Sequence, residues 1–171
     1  MKTVIVDGCR TPFCKAGTAL QDLTAIELGK VAVRELLARA DLPGDEVDQL
    51  VYGTVVHNPH APNIAREVGL AVLPRTVPAT TVSRACITAN QAITDAVNLI
   101  ESGNADVVVA GGAESLSHIP ITVTDELSRI LVGASKAKSL GETLGVVKDL
   151  RPKDLIPVRP DIAEPTTGET M

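Results

Sequence analysis

Four short runs rich in β-branched and other apolar residues alternate with longer amphipathic stretches over residues 1–114. The short runs have the length and composition of β-strands, whereas the stretches between them carry apolar residues at helical spacing. Strands that alternate with helices form βαβ units, so the pattern predicts an α/β fold with a largely parallel sheet covered by helices on both faces. Asp22 or Thr24 is the expected cap of the first helix. The predicted strands are 3–9, 50–56, 77–84 and 106–112, and the predicted helices are 22–40, 63–73 and 86–102.

The pattern changes near Ser115. Residues 125–150 predict one or two loosely amphipathic helices, and residues 151–171 hold prolines at positions 152, 157, 160 and 165 without strong periodicity. We therefore divide the chain into an α/β domain at 1–114 and a second part at 115–171. Because the second part has no closing element, we expect the 171 residues to be a piece of a longer protein.

Charge and composition exclude several classes of partner. The net charge of −5 and the near absence of aromatic residues argue against a nucleic-acid-binding protein. No apolar run is long enough to span a membrane, and the first residues lack the apolar region of a signal peptide. The three cysteines, Cys9, Cys14 and Cys86, cannot all pair and show no metal-binding spacing, so we expect no metal site and a reducing, cytoplasmic location.

One cysteine lies where a predicted strand turns into a predicted helix. Cys86 follows the third strand, and the start of a helix offers free backbone N–H groups and partial positive charge that favour a thiolate. This position also lies near the carboxyl end of a parallel strand, where open α/β sheets bind their ligands. A lone cysteine at such a junction is more often a small buried core residue than a nucleophile, and the pattern alone leaves both interpretations open.

Four separated segments form a recognisable set. They are Arg-Thr-Pro-Phe at 10–13, Ser-Arg-Ala-Cys at 83–86, Gly-Gly-Ala-Glu-Ser at 111–115 and Thr-Gly-Glu-Thr-Met at 167–171. Together they resemble the thiolase family, in the same order and at suitable spacing. Finer similarity at 36–39, 61–67 and 86–92 is to the branch that forms the β subunit of the fatty-acid-oxidation trifunctional complex.

The resemblance implies a reaction for Cys86. In this family the matched cysteine attacks the keto carbonyl of a 3-ketoacyl-CoA, becomes acylated while acetyl-CoA leaves, and passes the acyl group to a second CoA. Coenzyme A is then a substrate and no cofactor is needed. The Cys86 backbone N–H is expected to donate to the oxyanion. Gly111 and Gly112 match no phosphate-binding motif and are expected to form a tight strand exit.

The remaining catalytic parts of the family are a histidine in a Gly-His-Pro turn, a second cysteine in a glycine-rich loop and an Asn-Glu motif. All three follow later in family sequences, and none occurs here. His57, His60 and His118 match no such motif, and we interpret Cys9 and Cys14 as packing residues. We therefore expect the 171 residues to be inactive alone.

The resemblance also implies an architecture and partners. Two five-stranded halves form a layered sandwich, and this chain would hold the first half up to its fourth strand plus part of a loop excursion. A homodimer or higher oligomer is implied, with Asn63 and Arg66 near the interface, although an ordinary solvated helix start explains these two equally well. The branch further implies an α subunit and membrane contact by the excursion, but residues 125–151 carry a net charge of only +1.

Two alternative functions stay open at this stage. A condensing enzyme of the same fold, such as a ketoacyl synthase, shares the cysteine at the helix start, although the segments at 111–115 and 167–171 favour a thiolase. The second alternative is a truncated half that persists as a non-catalytic binding or assembly module. The acyl-chain length and the physiological direction of the reaction are not encoded in these residues.

Overall fold

The computed structural model describes residues 2–148, 150–158 and 166–169. They fall into two compact units, Met1–Ile119 and Pro120–Met171. Within the described residues, no helix is both long and apolar enough to cross a membrane. The helices are α1 (Ala25–Arg39), α2 (Ile64–Val72), α3 (Thr88–Glu101), α4 (Asp125–Lys136) and α5 (Leu140–Val147), and the strands are β1 (Gln49–Gly53), β2 (Ala79–Val82) and β3 (Val108–Gly112).

The three strands form a parallel sheet in the order β2-β1-β3. At the carboxyl edge of this sheet, Gly53 lies beside Val82 on one side and Gly112 on the other. The central strand β1 is a continuous apolar run because it is covered on both faces, and Leu50 and Val51 are almost completely buried. The structure therefore confirms the α/β fold with a parallel sheet.

Helices cover both faces of the sheet, as the sequence predicts. Side chains alternate along β1, so Leu50 and Tyr52 share one face. That face packs against α1 and α2 in the main hydrophobic core. Gly53 lies on the opposite face, where it approaches Thr88 at the start of α3. The core members are Val33, Leu37, Val47, Leu50, Tyr52, Ile64, Ala65, Val68, Leu73, Val77 and Val109.

A capping box fixes the start of α1. The Glu27 backbone N–H donates to the Thr24 hydroxyl oxygen at 3.3 Å, and the Thr24 backbone N–H donates to the Glu27 carboxylate at 2.7 Å. The bond from the Thr24 backbone holds the pKa of Glu27 below its ordinary value. Thr24, and not Asp22, is therefore the cap.

The first predicted strand is absent, and that prediction is wrong. Residues 3–9 form no strand in the structure, and Val4, Ile5 and Val6 are 73%, 80% and 86% exposed. A β-branched run becomes a strand only when a neighbouring strand pairs with its backbone. None of the described strands pairs with these residues, so their intrinsic preference alone does not form a strand.

In the described part of the second unit, α4 and α5 match the prediction of one or two helices for residues 125–150. Thr124 caps α4 through a hydrogen bond from the Leu127 backbone N–H, and Leu127 and Ile130 are buried. Thr122 and Val158 form an isolated antiparallel bridge. The proposed identities of the two parts, an α/β domain that lacks its last strand and a partial loop domain, stay predictions. In the last quoted segment, Thr170 and Met171 lie outside the described residues.

Candidate active site at the carboxyl edge of the sheet

Cys86 lies in a tight turn between β2 and α3. Its side chain is exposed and its thiol is free. The helix predicted to start at residue 86 or 87 begins at Thr88, with Ile87 as its N-cap. The turn is closed by the Ile87 backbone N–H, which donates to the Arg84 carbonyl at 3.2 Å. Cys86 therefore lies directly before the N-cap of α3 and two residues before its first helical residue.

The residue before the cysteine is held in an unfavourable conformation. Ala85 has φ of +45°, in the left-handed region that costs a residue with a Cβ about 1–2 kcal/mol. Such strain persists only where the surrounding contacts impose it, and it is frequent at functional sites. Here the sequence gives no glycine to relieve it, so the neighbouring contacts must hold the turn.

Thr88 supplies these contacts. The Thr88 hydroxyl accepts a hydrogen bond from the Arg84 backbone N–H at 2.8 Å and donates one to the Ala85 carbonyl at 2.7 Å. The residue is 4% exposed, and its methyl group lies so close to Gly53 that a Cβ on the glycine would be 2.1 Å away. The cysteine turn is thereby fixed to the end of β1.

Cys86 opens onto a cleft of about 710 Å³ at the carboxyl ends of β1 and β3. This volume lies in the range of small-molecule sites, and the position is where parallel α/β sheets bind ligands. The lining includes the loop at 9–16 and the segment 113–117. Gly17, which follows the first of these segments, donates its backbone N–H to the Ser117 hydroxyl oxygen at 3.0 Å and so joins the two.

Glu114 organises the edge of this cleft. Its carboxylate accepts hydrogen bonds from the backbone N–H of Val55 at 2.7 Å, from that of Val56 at 3.2 Å and from the Thr54 hydroxyl at 3.2 Å. The loops that follow β1 and β3 are thereby joined. In the sequence, Glu114 is recognisable only as part of the segment at 111–115, and this role could not be predicted because its partners are distant in the sequence.

The strand exit at 111–112 has the predicted tight packing. A Cβ on Gly111 would lie 2.9 Å from the ring of Tyr52, and one on Gly112 would lie 3.0 Å from the Gly53 carbonyl oxygen. Larger residues at these positions would therefore push β3 away from β1. Burial raises the pKa of Tyr52 to about 12, so its hydroxyl stays protonated and neutral.

The other two cysteines also line the cleft. The Cys9 thiol donates to the Ala32 carbonyl at 3.1 Å, and burial raises its pKa above the ordinary thiol value. Cys14 is exposed, so its interpretation as a packing residue is wrong. The loop that carries it has no strand to pair with, and the nearby Arg10 guanidinium stacks over the Phe13 ring at 4.5 Å.

The three histidines stay outside the cleft as far as the structure describes its lining. Asn63 caps α2 by accepting from the Arg66 backbone N–H at 2.9 Å. The Arg66 guanidinium donates to the carbonyls of Arg75 and Val77. These contacts within the chain are those of an ordinary helix start, and a role of Asn63 and Arg66 at a dimer interface stays a prediction.

The fold and the site define an α/β protein with an exposed cysteine at the carboxyl edge of a parallel sheet. The family model of the thiolase N-terminal domain matches residues 3–152. The chain belongs to the thiolase family.

Relatives and solved structures agree with this assignment. The chain is 47% identical to 3-ketoacyl-CoA thiolases of Yersinia pestis and Yersinia pseudotuberculosis, covering 99% of this chain and 39% of each relative. The Acat5 thiolase from Ascaris suum in complex with coenzyme A superposes with a TM-score of 0.66 and 31% identity, over 68% of this chain and 31% of that one. The Bacillus anthracis acetyl-CoA acetyltransferase gives a TM-score of 0.62 and 34% identity, over 64% and 28%.

Proposed function

We propose that this chain carries the acyl-accepting part of a 3-ketoacyl-CoA thiolase, with Cys86 as the nucleophile. The observation that supports this most is the placement of Cys86, which is exposed on a strained turn and lines a cleft at the carboxyl edge of the sheet. The relatives of 47% identity carry that enzyme name. Because the chain spans only 39% of their length, complete turnover is proposed for the protein that contains the later half as well.

The proposed reaction has two acyl-transfer steps. The Cys86 thiolate attacks the keto carbonyl carbon of a 3-ketoacyl-CoA, forming a C–S bond and placing an electron pair on the carbonyl oxygen. When this oxyanion collapses, the bond between carbons 2 and 3 breaks, and its electron pair leaves on acetyl-CoA as a carbanion that an acid must protonate. The thiolate of a second CoA then attacks the thioester, and Cys86 leaves as a thiolate.

Besides the nucleophile, these steps require an oxyanion donor and an acid. The Cys86 backbone N–H is the proposed oxyanion donor in this chain. The acid that protonates acetyl-CoA is assigned by the family resemblance to a later histidine, since His57, His60 and His118 lie outside the described lining of the cleft. Complete thiolysis is therefore not expected from the 171 residues alone. Transfer of an acyl group from a simple acyl-CoA to Cys86 needs no such acid, so we expect this single step from them.

The finer assignments rest on the resemblance and on the relatives' names. Fatty-acid β-oxidation, a homodimer or higher oligomer, an α subunit and a cytoplasmic location are proposed on that basis. The match to the thiolase N-terminal domain also supports thiolysis over the condensing-enzyme alternative. Coenzyme A is proposed as a substrate, in keeping with the coenzyme A bound to the Ascaris suum thiolase.

The test is acyl loading of the three cysteines. The chain is incubated with octanoyl-CoA, and its peptides are mapped by mass spectrometry under conditions that preserve thioesters. We expect an octanoyl group on Cys86, none on Cys9, and loss of the adduct in Cys86→Ala but not in Cys14→Ala. Octanoylation of Cys14 in preference to Cys86, or no adduct while iodoacetamide still alkylates Cys86, would contradict the proposal.

A further inference from the structure

We propose that Thr88 is a positioning residue that aims the Cys86 backbone N–H into the cleft, where it stabilises the oxyanion. This inference rests on the function proposed above. It concerns a side chain of the cleft lining whose hydroxyl is bound to the backbone of the cysteine turn. Its basis is the pair of hydrogen bonds that the Thr88 hydroxyl makes on either side of Ala85.

The two bonds act on the peptide groups 83–84 and 85–86, which flank the peptide between Arg84 and Ala85. Arg84 contributes its N–H and Ala85 its carbonyl, so one buried hydroxyl holds the backbone before and after the strained residue. The Thr88 backbone N–H also donates to the Ala85 carbonyl, at 3.2 Å. A carbonyl held by two donors cannot rotate without breaking both bonds, and each buried bond lost leaves a polar group unsatisfied.

The orientation of this carbonyl decides the orientation of the next N–H. The peptide that joins Ala85 to Cys86 is trans, and in a planar trans peptide the carbonyl and the N–H point in opposite directions. Because the Ala85 carbonyl points toward buried Thr88, the Cys86 N–H points away from it. Throughout the described residues, no backbone carbonyl accepts from this N–H, so it is available to a ligand in the cleft that Cys86 lines.

The position of Thr88 is itself fixed from behind. Its methyl group packs against Gly53 at a distance that leaves no room for a Cβ on the glycine. The Thr88 side chain thus connects the end of β1, through its methyl group, to the cysteine turn, through its hydroxyl. The hydroxyl orients the peptide and the methyl group packs against Gly53. Two substitutions, each of which removes one of these groups, distinguish the two roles.

The test compares Thr88→Val, which removes the hydroxyl and keeps the shape, with Thr88→Ser, which keeps the hydroxyl and removes the methyl group. Two reactions of Cys86 are timed in each variant. Alkylation by iodoacetamide needs a thiolate but forms no oxyanion, whereas acylation by octanoyl-CoA forms one. We expect Thr88→Val to slow acylation by about 10²-fold and to change alkylation little. Thr88→Ser should keep both rates close to those of the unsubstituted chain.

A second measurement is independent of catalysis. Residual dipolar couplings of the Cys86 N–H, with those of α1 as the internal reference, report whether this bond changes direction. We expect a change in Thr88→Val and none in Thr88→Ser. An unchanged coupling in Thr88→Val, or equal slowing of acylation and alkylation, would overturn the inference. If the unsubstituted chain is not acylated at all, the proposed function fails, and the couplings alone still decide whether Thr88 orients the peptide.

Discussion

Replacement of Gly53 by alanine should destabilise the sheet and disturb the cysteine turn together. A Cβ at this position would lie 2.1 Å from the Thr88 methyl carbon and 2.7 Å from the Val82 carbonyl oxygen. The first contact involves a side chain held by two hydrogen bonds, and the second involves backbone. Neither group can move away by a simple rotamer change, so the strand, the turn or both must shift.

The expected loss of stability follows from two opposing effects. Overpacking in a well-packed region costs about 1–3 kcal/mol, and contacts this short place Gly53→Ala toward the upper end. Alanine also restricts the unfolded chain, which returns about 0.4–1 kcal/mol to the folded state. We therefore expect a net decrease of about 2 kcal/mol in the free energy of unfolding.

Urea denaturation followed by circular dichroism measures this decrease, with an unchanged m-value as the sign of an intact two-state transition. Gly8→Ala is the matched control, because a Cβ at Gly8 meets nothing within 4 Å, and its effect should stay within about 0.5 kcal/mol. The rate of Cys86 alkylation should change in Gly53→Ala only. Equal stability of Gly53→Ala and the unsubstituted chain would refute the described packing of Gly53 against Thr88.

Three further substitutions or measurements test separate parts of the structure. Ala85→Gly should raise the free energy of unfolding by about 0.5–1 kcal/mol, because relief of left-handed strain exceeds the added freedom of the unfolded chain; a lower urea midpoint would contradict this. The backbone N–H groups of Val107 and Asp106 hold the pKa of Asp48 below its ordinary value. The ionised Asp48 carboxylate therefore stabilises the folded state fully at pH values above the unfolded pKa of about 3.9, and this stabilisation is lost as the pH falls through the lower folded pKa. The free energy of unfolding, measured against pH for the unsubstituted chain and for Asp48→Asn, should show this loss only in the unsubstituted chain. The same decrease at acid pH in both proteins would contradict it. Burial raises the pKa of Cys9. The rate of Cys9 alkylation by iodoacetamide, followed by mass spectrometry, should therefore still increase at pH values above the ordinary thiol range of about 8–9. A midpoint of this pH dependence below that range would contradict the described burial.

Much of the fold could be predicted because its elements carry their own local signals. Helix α1 has an apolar stripe, a Thr-x-x-Glu start and a Pro-Gly stop, and all lie within one stretch of sequence. The central strand β1 could be recognised because burial on both faces requires a continuous apolar run. Residues 3–9 carry the same kind of signal, but a strand also depends on a neighbour, which local sequence does not reveal.

The site could be predicted only in part. The position of Cys86 at a strand–helix junction follows from local patterns, and the family motifs strengthen it. The roles of Thr88 and Glu114 could not be predicted, because the first depends on the φ of Ala85 and the second on a loop that lies 59 residues away in sequence, at Val55. Contacts between distant segments arise from the assembled sheet, and no periodicity encodes them.

The most direct test of the central claim is a chase of the acylated chain with coenzyme A. Octanoyl-Cys86 is formed and freed of excess octanoyl-CoA, and CoA is then added. Mass spectrometry follows the protein and the small molecules over time. If Cys86 is an acyl carrier, the adduct disappears at the rate at which octanoyl-CoA appears, and the free thiol returns. A stable adduct on Cys86, with no octanoyl-CoA formed while the chain stays folded, would contradict the claim that this cysteine transfers acyl groups to coenzyme A.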